Sequence, residues 1–482
     1  MTVEYSRIMT ISIPFLRHTA ILMGGTALAQ ALALLAAPVL TRLYQPADFG
    51  VFAAVTAAAA ILSIISTLRY ELAIVLPKSE AEAADLTLIA MGTAVAFAVA
   101  AFVLPWLLPS SVERLLGPLA PLWWSVPVLA LLMASTQILN CVANRHRAYR
   151  AIASGLLLQQ GGTAGFSILI AAFAMMQNGL VVGRLAGQFG AVAGLAILLR
   201  YAFAARGALN WRQIREAASR YRQFPIFNVP YSLFGTVSKE FLVLAFTATG
   251  HLSAAGFYGL ARTVLTVPIS FLSSSLSQVF YKEAATSIGT PAFESLMLGL
   301  LRGIACGMAP LFVFAWFWSP LAFALIFGEN WREAGQYASI LMPMAFLALF
   351  TSWPERIFEV RSKQQYALGI QATFDIASLL TVILLLNNGY SEIAVARAYV
   401  AIQIAYHVSY LFAVFVLSGL GARRYLGFLL LLASAVAVSL AIQLPIQRYG
   451  PPDYVGMLFG ALAAIAVAAP CAIYSFRSRA RS

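Results

Sequence analysis

The chain has 482 residues, of which 61% are hydrophobic and only 10% charged, and its mean hydropathy is +0.83. A water-soluble protein of this length needs more charged surface than this composition provides. The formal net charge of +13 does not indicate nucleic-acid binding, because the basic residues lie in short loops between apolar segments. The composition therefore excludes a soluble catalytic or DNA-binding domain, and the longest polar interval is only residues 200–224.

Apolar stretches recur from one end of the chain to the other, and about 20 such residues form one membrane-spanning helix. The first stretch follows Arg7 and Arg17 but is too long for a secretory signal, so we interpret it as an uncleaved helix. We predict an all-α polytopic membrane protein with about fourteen spans, at 18–41, 48–68, 86–108, 121–143, 151–174, 179–199, 227–248, 254–278, 296–318, 335–353, 366–386, 394–417, 425–444 and 454–475.

The basic residues predict the orientation of these spans. When the N-terminus is placed in the cytoplasm, most of the 31 Lys and Arg residues fall in cytoplasmic segments. Such an excess is typical of cytoplasmic loops. An even number of spans with both termini cytoplasmic follows. The outside segments then hold only Arg42, Arg114, Arg184, Arg332, Arg397 and Arg448.

The longest cytoplasmic interval divides the chain into two halves. We predict an N-terminal lobe at 1–203, an amphipathic linker at 204–225, a C-terminal lobe at 226–418, and two extra helices with a basic cytoplasmic tail at 419–482. Within the linker, Trp211, Ile214, Ala218 and Tyr221 recur at helical spacing. This pattern suits a helix lying on the anionic cytoplasmic leaflet, although a plain solvated linker is the alternative.

No arrangement of residues predicts catalysis, a metal site or a cofactor. The three cysteines, Cys141, Cys306 and Cys471, are far apart and lie within or beside apolar segments. The chain has no phosphate-binding loop and no large outside loop that could carry a catalytic site. We expect a transporter and not an enzyme, driven by substrate asymmetry or by a gradient of H⁺ or Na⁺.

Ionisable residues inside predicted spans mark a pathway, because charge is costly in the bilayer and faces the bundle interior. Arg262 is the strongest candidate: it is always charged, suits phosphate binding and precedes the helix-loosening Pro268 by six residues. The candidates for substrate binding in a cationic cavity are Arg262, Lys239, Arg302 and Arg69. The candidates for charge partners or coupling are Glu240, Asp375, Glu71 and His407.

Several of these residues have a second interpretation. Arg302 and Arg69 can extend to the cytoplasmic interface. Asp375 can neutralise a basic residue structurally, and His407, beside Tyr406, can be a hydrogen-bonded packing residue.

Four segments of the sequence resemble the Wzx-like polysaccharide flippases of the MOP exporter superfamily. Residues 38–50 (PVLTRLYQPADFG) are similar to the first outside turn of that family, and residues 68–78 (LRYELAIVLPK) to the end of its second helix. The eighth span is similar from 255–262 (AGFYGLAR) through Pro268, as is the stretch 279–284 (VFYKEA) after it. The span number and layout agree over the whole chain.

The resemblance implies two six-helix lobes in a V shape plus two C-terminal helices, working by alternating access. It implies transport of undecaprenyl-diphosphate-linked oligosaccharides across the bacterial inner membrane for O-antigen, capsule or exopolysaccharide synthesis. The implied partners are this glycolipid, the bilayer and the polysaccharide polymerase and chain-length machinery, and no nucleic acid. Arg262 matches a position where the family often places a basic residue.

Two alternatives remain. An ion-coupled exporter of small cationic drugs favours acidic residues in its cavity, whereas the deep charges here are mostly basic. A polysaccharide polymerase or ligase needs a sizeable outside loop that carries catalytic residues, and the sequence has no such loop.

Overall fold

The structure is a computed structural model that describes residues 13–107, 109, 117–173, 178–204, 210–451 and 453–479. The predicted segment before residue 13, the start of the linker at 205–209 and the last residues of the basic tail at 480–482 lie outside it. The principal helices are α1 (Ile13–Leu43), α2 (Pro46–Ser66), α3 (Glu80–Leu107), α4 (Ser125–Arg145), α5 (Tyr149–Ala172), α6 (Gly179–Leu198), α7 (Trp211–Arg220), α8 (Val229–Ala248), α9 (Leu252–Ser287), α10 (Pro291–Phe327), α11 (Arg332–Thr351), α12 (Gln364–Asn387), α13 (Glu392–Leu417), α14 (Gly421–Tyr449) and α15 (Tyr454–Arg479).

The all-α polytopic fold is confirmed. Within the described ranges, twelve helices are long and apolar enough to cross a membrane. Helices α8 and α15 occupy the positions of the two other predicted spans. Helices suit this environment because each backbone N–H finds its acceptor within its own segment, where lipid offers none.

The chain forms two compact units, residues 1–255 and 256–482, and the boundary falls in the first turn of α9. Helix α8 belongs to the first unit, where it packs on α2. A side chain at Gly50, which opens α2, would overlap the carbonyl oxygen of Leu252. The predicted lobes, with their boundary at the linker, stay predictions.

The linker helix α7 packs on the protein with the face that the sequence singled out. Ala217 is buried in the core of the first unit, and Ala218 and Tyr221 pack against that core. The phenol of Tyr70 donates to the carbonyl of Ala218 at 3.1 Å, and burial raises the pKa of this phenol. Trp211 stays 78% exposed at the helix start. The second half of the apolar face therefore packs on protein, and contact of α7 with the leaflet stays a prediction.

Helices α5 and α6 meet backbone to backbone through glycines. A Cβ on Gly187 would overlap the backbone nitrogen of Thr163 and the carbonyl oxygen of Gln159. Close approach through small residues is a main source of helix association in membranes, because lipid removes the hydrophobic driving force.

The second unit has an aromatic core shared by α9, α10, α11, α13 and α14. Phe280 meets Trp353 edge to face with ring centroids 4.8 Å apart, and both rings are fully buried. This core fixes the helices that carry the polar cluster described below.

We expect Gly187→Ala to destabilise the protein by about 1–3 kcal/mol, because the added methyl group overpacks the contact between α5 and α6. Gly190→Ala is the matched control: it lies in the same helix, and its Cβ would meet nothing within 4 Å. The measurement is thermal unfolding of both variants in mild detergent. Equal melting temperatures would contradict the packing assignment.

Candidate functional site

Arg69 and Glu71 form an ion pair at the end of α2. Nη1 of Arg69 lies 3.0 Å from Oε1 of Glu71, whose side chain is 1% exposed. Leu68 and Arg69 both have positive φ, 49° and 60°, which is uncommon for residues other than glycine. The two charges compensate each other, although Nε of Arg69 and Oε2 of Glu71 are buried without a hydrogen-bond partner among the described residues. The ion pair gives both residues a structural role.

Arg145 at the end of α4 holds the loop that follows this pair. Its guanidinium donates to the carbonyls of Ile74 and Pro77 at 3.1 and 2.7 Å, and to the carboxylate of Glu80 at 2.9 Å. Nη1 of Arg220, at the end of α7, lies 2.5 Å from Oε1 of Glu82, in the first turn of α3. This end of the first unit is therefore tied together by charge-assisted bonds, which are the strong ones.

Lys239 and Glu240 lie in the middle of α8, in the first unit. Lys239 is exposed and Glu240 is half-buried. This difference agrees with the angle of about 100° between neighbouring helical residues. The two side chains therefore point to different surroundings.

Arg184 is a half-buried cation that the topology prediction counted with the outside segments, although it lies within the predicted span 179–199. It lies five residues inside α6, about 7 Å from the helix start. The amide of Gln159 on α5 contacts it, with its oxygen accepting from Nη1 at 2.9 Å and from Nη2 at 3.0 Å. Nε of Arg184 is buried and has no hydrogen-bond partner among the described residues.

The surroundings of Arg184 are polar but uncharged. One turn later on α6, Gln188 is 2% exposed and donates to the hydroxyl of Thr136 at 2.7 Å. No carboxylate forms an ion pair with Arg184 within the described part of the chain. A cation in such a place is costly unless an anion compensates it. Arg184 is therefore suited to bind an anion supplied by a ligand.

Arg262 belongs to a polar cluster of the second unit. Its guanidinium carbon lies 5.8 Å from the ring centroid of Tyr258, which is 1% exposed. Tyr258 and Tyr399 are hydrogen-bonded to each other, and Asp375 and Arg262 both lie within electrostatic range of Tyr399. The structure therefore brings together two of the predicted site residues, Arg262 and Asp375, with two tyrosines that the sequence analysis did not name.

His407 and Arg302 lie elsewhere in the second unit. Nδ1 of His407 is hydrogen-bonded to the hydroxyl of Thr351 at 2.8 Å, and its ring lies against Tyr406 with centroids 4.9 Å apart. Tyr406 in turn lies within electrostatic range of Asp375. Arg302 is exposed on α10. His407 therefore has the contacts of a packing residue beside Tyr406.

We expect either Arg69→Met or Glu71→Gln to cost about 3–5 kcal/mol of stability, because each leaves the other charge buried without its partner. The double variant should recover part of that loss. Unfolding in detergent gives the stabilities, and glycan export in cells gives the activity.

Wild-type stability of Glu71→Gln would contradict the ion-pair assignment. A stable double variant that fails in export would give Arg69 a role in binding the cargo.

The chain was then compared with known proteins. Residues 39–334 match the family described as "Polysaccharide biosynthesis protein". No curated protein sequence matches the chain. The fold is similar to that of the lipid II flippase MurJ in an inward closed conformation, with a TM-score of 0.72, 11% identity, and coverage of 97% of this chain and 99% of that one.

The fold is also similar to an inward-facing multidrug resistance MATE family transporter of the MOP superfamily, with a TM-score of 0.56 and 13% identity over 84% of this chain and 100% of that one. At these identities the likeness shows the fold alone. The family match covers more than half of the sequence and confirms the predicted resemblance. The chain belongs to the polysaccharide biosynthesis protein family and has the helical fold of the MOP-superfamily transporters.

Proposed function

We propose that the protein flips undecaprenyl-diphosphate-linked oligosaccharide repeat units from the cytoplasmic to the periplasmic leaflet by alternating access, for O-antigen, capsule or exopolysaccharide synthesis. The observation that carries this proposal is Arg184, a cation of the first unit whose contacts are neutral and whose buried Nε has no partner among the described residues. Arg262 in the second unit is a second candidate for binding the phosphates.

The chemistry of the cargo explains why arginines are the candidates for binding its diphosphate. A diphosphate is stable in hydrocarbon only when its charge is compensated, and guanidinium groups bind phosphate oxygens in a planar, two-pronged geometry. Lys239, exposed on α8, is a further candidate that would act as a point charge.

The family match supports a role in polysaccharide synthesis, and the likeness to a lipid II flippase supports a lipid-linked cargo. A transporter of this kind has no catalytic residues, so we propose no enzyme activity. We place the protein in the bacterial inner membrane with both termini in the cytoplasm. The flipped glycan would then be delivered to the polymerase and chain-length machinery on the periplasmic side.

A gradient of H⁺ or Na⁺ is the proposed source of energy. Asp375, beside Tyr399 and Tyr406, is the coupling candidate that the geometry favours, and Glu240 on α8 is the second. His407 is weaker, since Thr351 already binds its Nδ1.

A second candidate function is ion-coupled export of small cationic molecules. Two observations favour it. Glu240 of the first unit and Asp375 of the second are acidic residues inside predicted spans, and the fold is similar to that of a multidrug transporter. Cationic dyes would be exported by such a protein and not by a glycolipid flippase.

Deletion of the protein should leave the lipid-linked repeat unit in the cytoplasmic leaflet, because the sugar cannot cross hydrocarbon unaided. The measurement is labelling of the glycan in intact spheroplasts with an impermeant, sugar-oxidising reagent. Normal labelling in the deletion strain would refute the flippase, and loss of dye export alone would favour the second candidate.

Arg184→Ala and Arg262→Ala should each reduce glycan export about tenfold or more, because a charge-assisted bond to phosphate contributes about 1.5–3 kcal/mol. Arg302→Ala is the matched control, because this arginine of the second unit is exposed, and it should export normally. Arg262→Lys separates the need for charge from the need for a planar guanidinium.

All variants are compared at equal amounts of folded protein, checked by size-exclusion chromatography. Normal export by Arg184→Ala would remove the first unit from the site and leave the family assignment intact.

A further inference from the structure

A groove of about 500 Å³ lies on the second unit between α10, α11 and α13. Each helix lines it with one face, since the lining residues recur three or four positions apart. Gly335 lets α11 approach α10 closely here, because a Cβ would overlap the backbone of Ser319 and Pro320. Tyr399 of the Arg262 cluster is two residues from Arg397, which lines the groove, and so lies on another face of α13.

One end of the groove is polar. Arg397 is exposed five residues inside α13, and Gln336 is exposed four residues inside α11. Both are therefore about 6–8 Å from the start of their helices. Arg397 forms no hydrogen bond or ion pair within the part of the chain that the structure describes. A cation at the edge of the bilayer without a protein partner is suited to an anionic head group.

The rest of the groove is apolar. Ile340 on α11 and Ile393, Val400 and Ile404 on α13 continue it along the helices. An anion-binding end that continues into an apolar channel complements the two parts of a lipid molecule, a charged head group and a hydrocarbon chain.

We propose that this groove binds an anionic glycerophospholipid such as phosphatidylglycerol. Its phosphodiester would pair with Arg397 and Gln336, and one acyl chain would lie along the apolar wall. A single guanidinium matches the single charge of a phosphodiester, whereas a diphosphate cargo would need more positive charge. With the predicted topology, this lipid comes from the periplasmic leaflet.

The test uses the full chain in nanodiscs that contain equal amounts of phosphatidylglycerol and phosphatidylethanolamine, followed by native mass spectrometry in mild detergent. Arg397→Ala should retain about tenfold less phosphatidylglycerol than the wild type. Arg448→Ala is the matched control: it is also exposed, is predicted to lie on the same side of the membrane, and contacts Tyr449 instead of the groove. It should retain phosphatidylglycerol normally.

A second variant, Ala401→Trp, fills the groove without removing charge and should also lose the lipid at an unchanged melting temperature. Equal losses in Arg397→Ala and Arg448→Ala would overturn the proposal, because general surface charge would then explain retention. Equal retention of both lipids by the wild type would overturn the choice of head group. Binding of the lipid-linked glycan at this site, displaced by Ala401→Trp, would overturn the choice of occupant.

Discussion

Hydrocarbon offers no hydrogen-bond partner, so every polar group in these helices must find one within the protein. Most hydroxyls do so locally. Thr87, Thr93 and Ser135, for example, each donate to the carbonyl four residues earlier in their own helix. The polar groups that bond across helices are then the informative ones, since they define how the helices sit. Gln188 with Thr136 does this in the first unit, and Gln403 with Ser378 and Trp318 with Gln443 do it in the second.

Charged groups meet the same constraint in two ways. Near the ends of helices they pair with each other, as Arg69 does with Glu71 and Arg145 with Glu80. In α6 of the first unit, Arg184 is contacted by the neutral amide of Gln159. In the pair of Arg69 and Glu71 the two charges cancel. Arg184 leaves a net positive charge, which is costly inside a membrane span unless it is compensated.

Much of the fold could be predicted from the sequence, because apolar length and charge asymmetry are read residue by residue. The candidate site was harder. Arg184 was counted with the outside segments although it falls within the predicted span 179–199, and it was not named as a site residue. Tyr258 and Tyr399 are 141 residues apart, and nothing local predicts that they share a hydrogen bond. Conversely, Arg69 fitted the pattern of a cavity cation, but the carboxylate that meets it is set by a left-handed backbone turn that no periodicity shows.

The two units also differ in how their helices are built. In the first, glycines such as Gly162 and Gly187 bring α5 and α6 into backbone contact, which fixes the two helices against each other. In the second, α9, α10 and α11 carry prolines at Pro268, Pro310, Pro320 and Pro343. Each proline removes a donor and weakens the ladder of its helix at that turn. Helices interrupted in this way bend at lower cost than α5 and α6, which contain no proline. The Arg262 cluster is carried by one of these interrupted helices, whereas Arg184 is held by the glycine-packed pair, so the two proposed cargo contacts differ in how freely they can move.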